Sequence, residues 1–199
     1  YRHVWLTKMD QLHLEQWESY VRPDVKGNVV TLNLGTSVHN RGTKAETCRV
    51  RWQIVDPSGK TVASADSASQ SAAADRFTPF TATAKLSGPA LWSPDSPNLY
   101  TAIVTVEVDG KARDAERVSF GVRTVSWDAD KGFFLNGKRV ELKGTCNHQD
   151  HAGVGAALPD RLQWYRLAVL REMGGNAVRT SHNMPTPENR RCYLRSRRS

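Results

Sequence analysis

Side chains able to do chemistry gather in two short stretches of the C-terminal third of the chain. One lies at residues 146–151 and the other at residues 179–183, and each follows a segment with the pattern of a short strand. Imidazole and carboxylate groups of this kind can bind a metal, transfer protons or bind a substrate. The candidates are His148, Asp150, His151, Arg179, Ser181, His182 and Asn183.

Two specific chemistries are disfavoured by the spacing of these residues. His148, Asp150 and His151 show no helix-borne HExxH motif or comparable spacing, so we predict no metal centre here. A serine hydrolase would use Ser181, His182 and Asp150, but there is no Gly-x-Ser-x-Gly turn. Neighbours on an extended chain also point to opposite faces. Two readings stay open, a binding pocket built at strand ends and a solvated polar loop.

A strand–helix–strand unit is predicted to position both polar stretches. Residues 133–135, which are apolar, and residues 139–143, which alternate charged with apolar side chains, flank Asn136-Gly137, a strong hairpin signal. Residues 176–180 predict a second strand, which a parallel crossover would connect to the first. Polar residues then follow the carboxyl ends of two parallel strands, where the active sites of TIM barrels are built.

The predicted helix lies between those strands. Asp160 and Gln163 have the spacing of a capping box, and Gly174-Gly175 is expected to end the helix. The apolar stripe at helical spacing, expected to be the packed face, is Leu162, Tyr165, Val169 and Met173.

Residues 21–123 have the strand and turn pattern expected of an antiparallel β-sandwich. Apolar residues recur at every second position in three runs, and turn signals such as Asp109-Gly110 separate the runs. The Ala/Ser-rich residues 63–74 are interpreted as a small-residue strand and loop. The inward sets are Val30, Leu32 and Leu34; Cys48, Val50, Trp52 and Ile54; and Ala102, Val104, Val106 and Val108.

The charge distribution, the length of the apolar runs and the cysteine spacing each argue against a class of protein. The formal net charge is +8, but five arginines lie in the last ten residues, and the remaining 23 basic residues nearly balance 20 acidic ones. We therefore predict no nucleic-acid surface, and no apolar run is long enough for a membrane span. Cys48, Cys146 and Cys192 show no disulfide or zinc spacing and are expected to be free thiols that pack or stay inert.

Three motifs strongly resemble glycoside hydrolase family two, the β-galactosidase, β-glucuronidase and β-mannosidase group. They are residues 121–124 (Gly-Val-Arg-Thr), 134–144, and 176–183 (Asn-Ala-Val-Arg-Thr-Ser-His-Asn). Residues 91–100 resemble the sandwich domain of the family, and residues 1–6 resemble the exit from the jelly-roll domain that precedes it. Within the family, the chain looks most similar to bacterial β-galactosidase-type enzymes.

The resemblance implies a retaining exo-β-glycosidase of carbohydrate metabolism that uses two carboxyl groups, one as acid/base and one as nucleophile. In the family both are glutamates on later barrel strands, and the acid/base follows an Asn. No glutamate of this sequence follows an Asn, and the last one, Glu188, comes just past the second predicted strand, too early to match either catalytic position. We therefore expect the catalytic pair to be absent from this chain, and the chain alone to be inactive.

The residues carried over from the resemblance form a pocket floor for a β-galactoside or related glycoside. Arg179 matches the family arginine near the nucleophile, and His182 matches the histidine that hydrogen-bonds the sugar. His148 and Asp150 match the polar rim after the first strand. No cofactor is implied for this chain. The expected partner is the remainder of the same polypeptide, while homo-oligomerisation and a cytoplasmic or periplasmic location are left open.

The predicted fold is an immunoglobulin-like β-sandwich followed by the beginning of a (β/α)8 TIM barrel, which is incomplete because a barrel typically needs about 250 residues. The predicted boundaries are 1–20 for the jelly-roll exit, 21–123 for the sandwich, 124–188 for the first β/α unit and 189–199 for a basic tail. The tail is interpreted as out-of-frame sequence or a genuine disordered tail. We expect residues after Gly144 to be loosely held. The alternative function is a non-catalytic carbohydrate-binding or interaction sandwich.

Overall fold

The structure, a computed structural model, describes residues 4–182 and residue 184. Two compact units divide these residues. The sandwich unit comprises Thr7–Leu91 and Asn98–Arg123, and the β/α unit comprises residues 4–6, Trp92–Pro97 and the described residues from Thr124 onward. In the described part of the chain, no helix has the length and apolar character needed to cross a membrane.

Strands dominate both units. In chain order the elements are β1 (Leu12–Leu14), β2 (Tyr20–Lys26), β3 (Val29–Asn40), β4 (Glu46–Val55), β5 (Thr61–Asp66), β6 (Gln70–Ala72), β7 (Arg76–Ser87), β8 (Tyr100–Val108), β9 (Lys111–Phe120), β10 (Val125–Asp128), β11 (Gly132–Leu135), β12 (Lys138–Arg139), β13 (Gly144–Cys146), α1 (Asp160–Glu172) and β14 (Ala177–Arg179).

The first sheet of the sandwich unit is organised around β3. Along one edge, β3 pairs with β7 over its whole length, from Val29 to Asn40. Along the other edge it pairs first with β2 and then with β1, all antiparallel. Leu12 and Leu14 of β1 are buried, so this unit includes a strand N-terminal to residue 21. A three-residue strand shows too few alternations to be recognised in the sequence.

The second sheet is organised around β4. It pairs with β8 on one edge and with β5 and β6 on the other, and β9 pairs with β8. The Ala/Ser-rich segment thus forms two strands, which confirms its interpretation as strand and loop. Asp109 and Gly110 both have positive φ (49° and 73°), the conformation that a tight hairpin between β8 and β9 requires.

The predicted inward faces form one apolar core, which confirms the β-sandwich. Trp52 and Ile54 of β4 are completely buried, as are Val30 and Leu32 of β3. Each such side chain contributes about 1.5–3 kcal/mol through loss of water contact. Because Trp52 is in this core, it offers no surface on which a sugar ring could stack.

The first elements of the β/α unit correct one sequence prediction. Strands β10, β11 and β12 form a small antiparallel sheet, and the Asn136-Gly137 turn has φ of 52° and 73°. The hairpin is confirmed, but the predicted strand over 139–143 is wrong: β12 is only Lys138–Arg139. Residues 140–143 connect it to β13, which pairs in parallel with β14. The apolar pattern of the sequence does not show that β12 and β13 are separate strands.

Helix α1 corrects two more sequence predictions, its start and its packed face. Its N-cap is Pro159, without a side-chain cap, so Asp160 is the first helical residue and the predicted capping box is wrong. The buried residues are Gln163, Leu167 and Leu170, whereas Tyr165 and Met173 of the predicted stripe are 61% and 76% exposed. Apolar residues lie on two helix faces, and their spacing does not tell which face packs. The predicted end is confirmed, because Gly174 has φ +84° and the Gly175 N–H donates to Leu170 O.

Candidate functional site

The candidate site lies at the carboxyl ends of β13 and β14. The two strands pair in parallel with Cys146 opposite Arg179, which confirms the predicted crossover. Gly144 permits this close approach, since a Cβ there would collide with the Ala177 carbonyl group. The backbone continues the pairing past the strands, because the Asn147 N–H donates to Arg179 O at 2.8 Å.

Asn176 fixes the other end of this pair. Its side-chain Oδ1 accepts from the Lys143 N–H at 2.8 Å, and its Nδ2 donates to Glu141 O at 2.9 Å. Its own N–H donates to Lys143 O at 2.8 Å. One side chain therefore satisfies the backbone of the segment that enters β13 and holds that segment beside the start of β14.

Arg179 connects the two strand ends. Its Nη1 donates to Cys146 Sγ at 3.2 Å, and its Nη2 lies 3.3 Å from His182 Nδ1. A guanidinium group can only donate, so Nδ1 of His182 is the acceptor and carries no proton. A neutral His182 therefore has its proton on Nε2, where it can be donated to a bound molecule.

The Arg179 contact also changes the acidity of Cys146. The hydrogen bond from Arg179, assisted by hydrogen bonds from Ser181, holds the pKa of this exposed thiol below its ordinary value. Cys48 behaves in the opposite way, because burial raises its pKa to about 11. The prediction of free thiols is confirmed for these two residues, and Cys192 lies outside the described part of the chain.

Ser181 brings His148 into the cluster. Its Oγ lies 3.1 Å from His148 Nε2, and the His148 and His182 rings meet edge to face with centroids 6.1 Å apart. Ser181 is buried and has φ +57°, so the extended chain expected at this position is wrong. The turn directs its hydroxyl to His148 instead of leaving it in a strand alternation.

Helix α1 holds the loop that carries His148. Arg166 Nη1 donates to the carbonyl groups of His148 and Asp150, at 3.0 Å and 3.2 Å. His151 pairs with Gly155 across a small bridge within the same loop. The Asp150 side chain is exposed, and among the described residues it makes no hydrogen bond or ion pair with Arg179, His182 or His148.

The described cluster therefore joins three of the four predicted residues. Arg179, His182 and His148 come together, and Asp150 contributes its backbone only. Sequence reasoning missed Cys146 and Arg166 as neighbours, although the parallel strand register would have placed Cys146 beside Arg179. Asn183 and Glu188 lie outside the described residues. The cluster offers a fixed cation, two imidazoles and a hydroxyl, which together suit a polyhydroxylated or anionic molecule.

Comparison with protein families gives two consecutive matches. Residues 13–123 match the model of glycosyl hydrolases family 2, and residues 128–193 match the TIM barrel domain of the same family. Beta-galactosidase BoGH2A of Bacteroides ovatus is 37% identical over 189 residues, covering 94% of this chain and 22% of that protein. A beta-glucuronidase of Bacteroides fragilis is 43% identical over 95 residues, covering 47% of this chain and 14% of that protein.

Solved structures of family members are also similar to this chain. A glycosyl hydrolase family 2 member from Bacteroides cellulosilyticus superposes with a TM-score of 0.87 at 30% identity, covering 94% of this chain and 26% of that one. A Bacteroides uniformis beta-glucuronidase superposes with a TM-score of 0.85 at 26% identity, covering 94% and 23%. The chain therefore spans about a quarter of the length of these structures.

Proposed function

The chain belongs to glycosyl hydrolase family 2, and we propose that it is the part of a retaining exo-β-glycosidase that carries the sandwich and one wall of the sugar site. In this proposal the two catalytic carboxylates come from polypeptide outside these 199 residues. No glutamate here follows an Asn, as the acid/base of the family does, and no glutamate follows the second predicted strand late enough to match the nucleophile. The 199 residues alone then bind but do not hydrolyse a glycoside.

The Arg179–His182–His148 cluster is the observation that carries this proposal. A permanent cation at a strand end would hold a neighbouring nucleophile carboxylate ionised. His182 presents an Nε2–H that can donate to a sugar hydroxyl, and its orientation is fixed by Arg179. Asp150 is proposed as a rim residue that meets the substrate from the same loop.

The proposed substrate is a β-galactoside. The first relative reported above is a β-galactosidase, and it matches nearly the whole chain. A β-glucuronidase matches about half of it at higher local identity, so a glucuronide is the competing substrate. Arg179 is compatible with both, since it would face a carboxylate of the enzyme or of the sugar.

A chimera tests the proposal with the reacting carboxylates present. Residues 1–188 would replace the matching segment of the Bacteroides ovatus β-galactosidase, and hydrolysis of nitrophenyl β-galactoside and β-glucuronide would be compared. We expect galactoside hydrolysis, and a fall in kcat/KM of about 100-fold or more for Arg179→Lys, which keeps the charge but loses the planar fork.

The matched control is Arg161→Lys on the exposed face of α1, which should leave kcat/KM unchanged. Equal activity of the two variants would contradict the role of Arg179. A folded chimera that hydrolyses the glucuronide in preference to the galactoside would overturn the substrate assignment.

A further inference from the structure

Three potential metal ligands converge on the outer face of the first sheet in the sandwich unit. His13 of β1 is the direct cross-strand partner of His39 in β3. Directly paired residues project to the same side of a sheet, and so do residues two apart on one strand. Glu15, immediately after β1, therefore joins the two imidazoles, while Leu12 and Leu14 point into the core.

The three side chains are close together, and the two imidazoles are shielded from water. One ligand atom from each of His13, Glu15 and His39 lies within 4.8 Å of the others, and this is the one such trio of His, Cys, Asp or Glu within residues 4–182 and 184. Glu15 Oε2 is 3.5 Å from His39 Nδ1. The two histidines are only 5% and 6% exposed.

Neighbouring groups orient each ligand. The Nδ1 of His13 donates to the Asp10 carbonyl oxygen at 2.8 Å, which leaves a lone pair on Nε2 of the neutral ring. The Phe77 ring packs on His39 with centroids 4.1 Å apart. The Glu15 N–H donates to Ser37 O at 2.9 Å, so the backbone below the carboxylate is held to β3. A hydrogen bond from the far nitrogen to a carbonyl is the usual support of a metal-binding histidine.

We propose that His13, Glu15 and His39 bind one Zn²⁺ ion, with a water molecule as the fourth ligand. Two imidazoles and one carboxylate are a donor set that zinc accepts, whereas Ca²⁺ and Mg²⁺ require more oxygen ligands. Bonds of about 2.1 Å place tetrahedral ligands about 3.4 Å apart. The Glu15–His39 pair, at 3.5 Å, already meets that spacing. The other separations are at most 4.8 Å, so side-chain movement of up to about 1.4 Å closes the site. The ion would pin the three-residue strand β1 to β3.

The test is a metal titration of the whole 199-residue chain, prepared without a histidine tag and stripped of metal. Zn²⁺ would be titrated against a chromophoric chelator, and Co²⁺ would report coordination geometry through its visible absorption. We expect one ion per chain with a tetrahedral cobalt spectrum. Glu15→Gln and His39→Gln should each weaken zinc affinity at least about 100-fold. Mutation of a residue that only hydrogen-bonds to a metal ligand already lowers metal affinity about 10–100-fold.

His151→Gln is the matched control, because it removes a histidine of the β/α unit and should leave zinc affinity unchanged. Circular dichroism of each metal-free variant checks folding, and Glu15→Gln keeps both the shape and the partial exposure of its side chain. Absence of zinc binding at 100-fold excess over protein would overturn the proposal. Zinc binding that survives in folded Glu15→Gln and His39→Gln would overturn it equally.

Discussion

The two units differ in how their strands are held. In the sandwich unit β3 and β7 pair over twelve residues, and twenty-one buried hydrophobic residues form its core. In the β/α unit β13 and β14 pair over three residues, and within its described part the buried hydrophobic residues are Leu135, Leu167 and Leu170. The sandwich is specified by apolar burial, whereas the site-bearing strands depend on Asn176, Arg179 and Arg166. Polar groups with chemistry thus lie in the region that has the fewest apolar contacts of its own.

The largest expected effect comes from a substitution that removes a large side chain from the sandwich core. Trp52→Ala should lower the free energy of unfolding by about 3–5 kcal/mol, because Trp52 is fully buried and its loss leaves a cavity. Urea unfolding followed by circular dichroism measures the change. Trp17→Ala, at an 80% exposed site of the same unit, should change it by less than about 0.5 kcal/mol. Similar losses in both variants would refute the contrast between core and surface.

The next effect concerns backbone contact in the smaller unit. Gly144→Ala should separate β13 from β14 and cost about 2–4 kcal/mol locally, since the new Cβ meets the Ala177 backbone, which has little freedom to move. Gly35→Ala in β3 is the control: the nearest atoms to its Cβ would be the far end of the Tyr20 side chain, which is partly exposed and able to swing away. Hydrogen exchange should accelerate at residues 144–147 and 177–179 in the first variant, with the sandwich amides unchanged. Faster exchange throughout the sandwich would contradict a local effect of Gly144.

The two described cysteines compare the units by chemistry. At pH 7.5 Cys146 should react with iodoacetamide at least about 100-fold faster than Cys48, because the Arg179 hydrogen bond lowers the pKa of Cys146 and burial raises that of Cys48 to about 11. Peptide mass spectrometry separates these sites from Cys192. Arg179→Gln should move the Cys146 rate profile to higher pH. A profile that stays in place would contradict the contact between the strand ends.

The smallest effect is a charge penalty inside the sandwich. Burial raises the pKa of Glu116, so its ionised form is less favourable in the folded state than in the unfolded state. This penalty is absent below the unfolded pKa, grows as pH rises from the unfolded to the folded pKa, and is fully present above the folded pKa. Glu116→Gln should therefore stabilise the chain at pH 7 by about 1 kcal/mol or less, with the gain vanishing in acid. Thermal unfolding across pH measures it.

Glu107→Gln, in the same sheet, should change stability in the opposite direction. The Glu107 carboxylate is 2.9 Å from Arg49 Nη2 and 3.2 Å from Arg51 Nη1, so its replacement breaks a shielded pair and lowers stability at pH 7. Equal shifts in the two variants would show that pairing does not decide the cost of these carboxylates.

Sequence periodicity predicted the sandwich well because its long strands repeat the period-two pattern many times. Trp52 and Ile54 were assigned to the core and are buried there. Strand β1 was missed because three residues carry almost no pattern, and the packed face of α1 was missed because apolar residues lie on two of its faces. Contacts between residues distant in sequence decide both the strand β1 and the packed face of α1, and the local spacing of apolar residues does not predict such contacts.

The site was predictable only in part for a related reason. Arg179 and His182 were placed by resemblance of the motif that contains them, and the structure puts them in contact. The positive φ of Ser181, which turns its hydroxyl to His148, leaves no signal in residue type. The Cys146–Arg179 contact depends on the register of two parallel strands, which the sequence did not locate correctly.

The central claim is that this chain carries a glycoside-binding wall without the carboxylates that react. The direct measurement is hydrolysis of nitrophenyl β-galactoside by the purified 199-residue chain, produced in a host that lacks β-galactosidase. We predict no release of nitrophenol above buffer, in the presence of saturable galactoside binding that Arg179→Gln removes. Hydrolysis that copurifies with the chain and is lost in Arg179→Gln would contradict the account, because the reacting carboxylates would then lie within these residues.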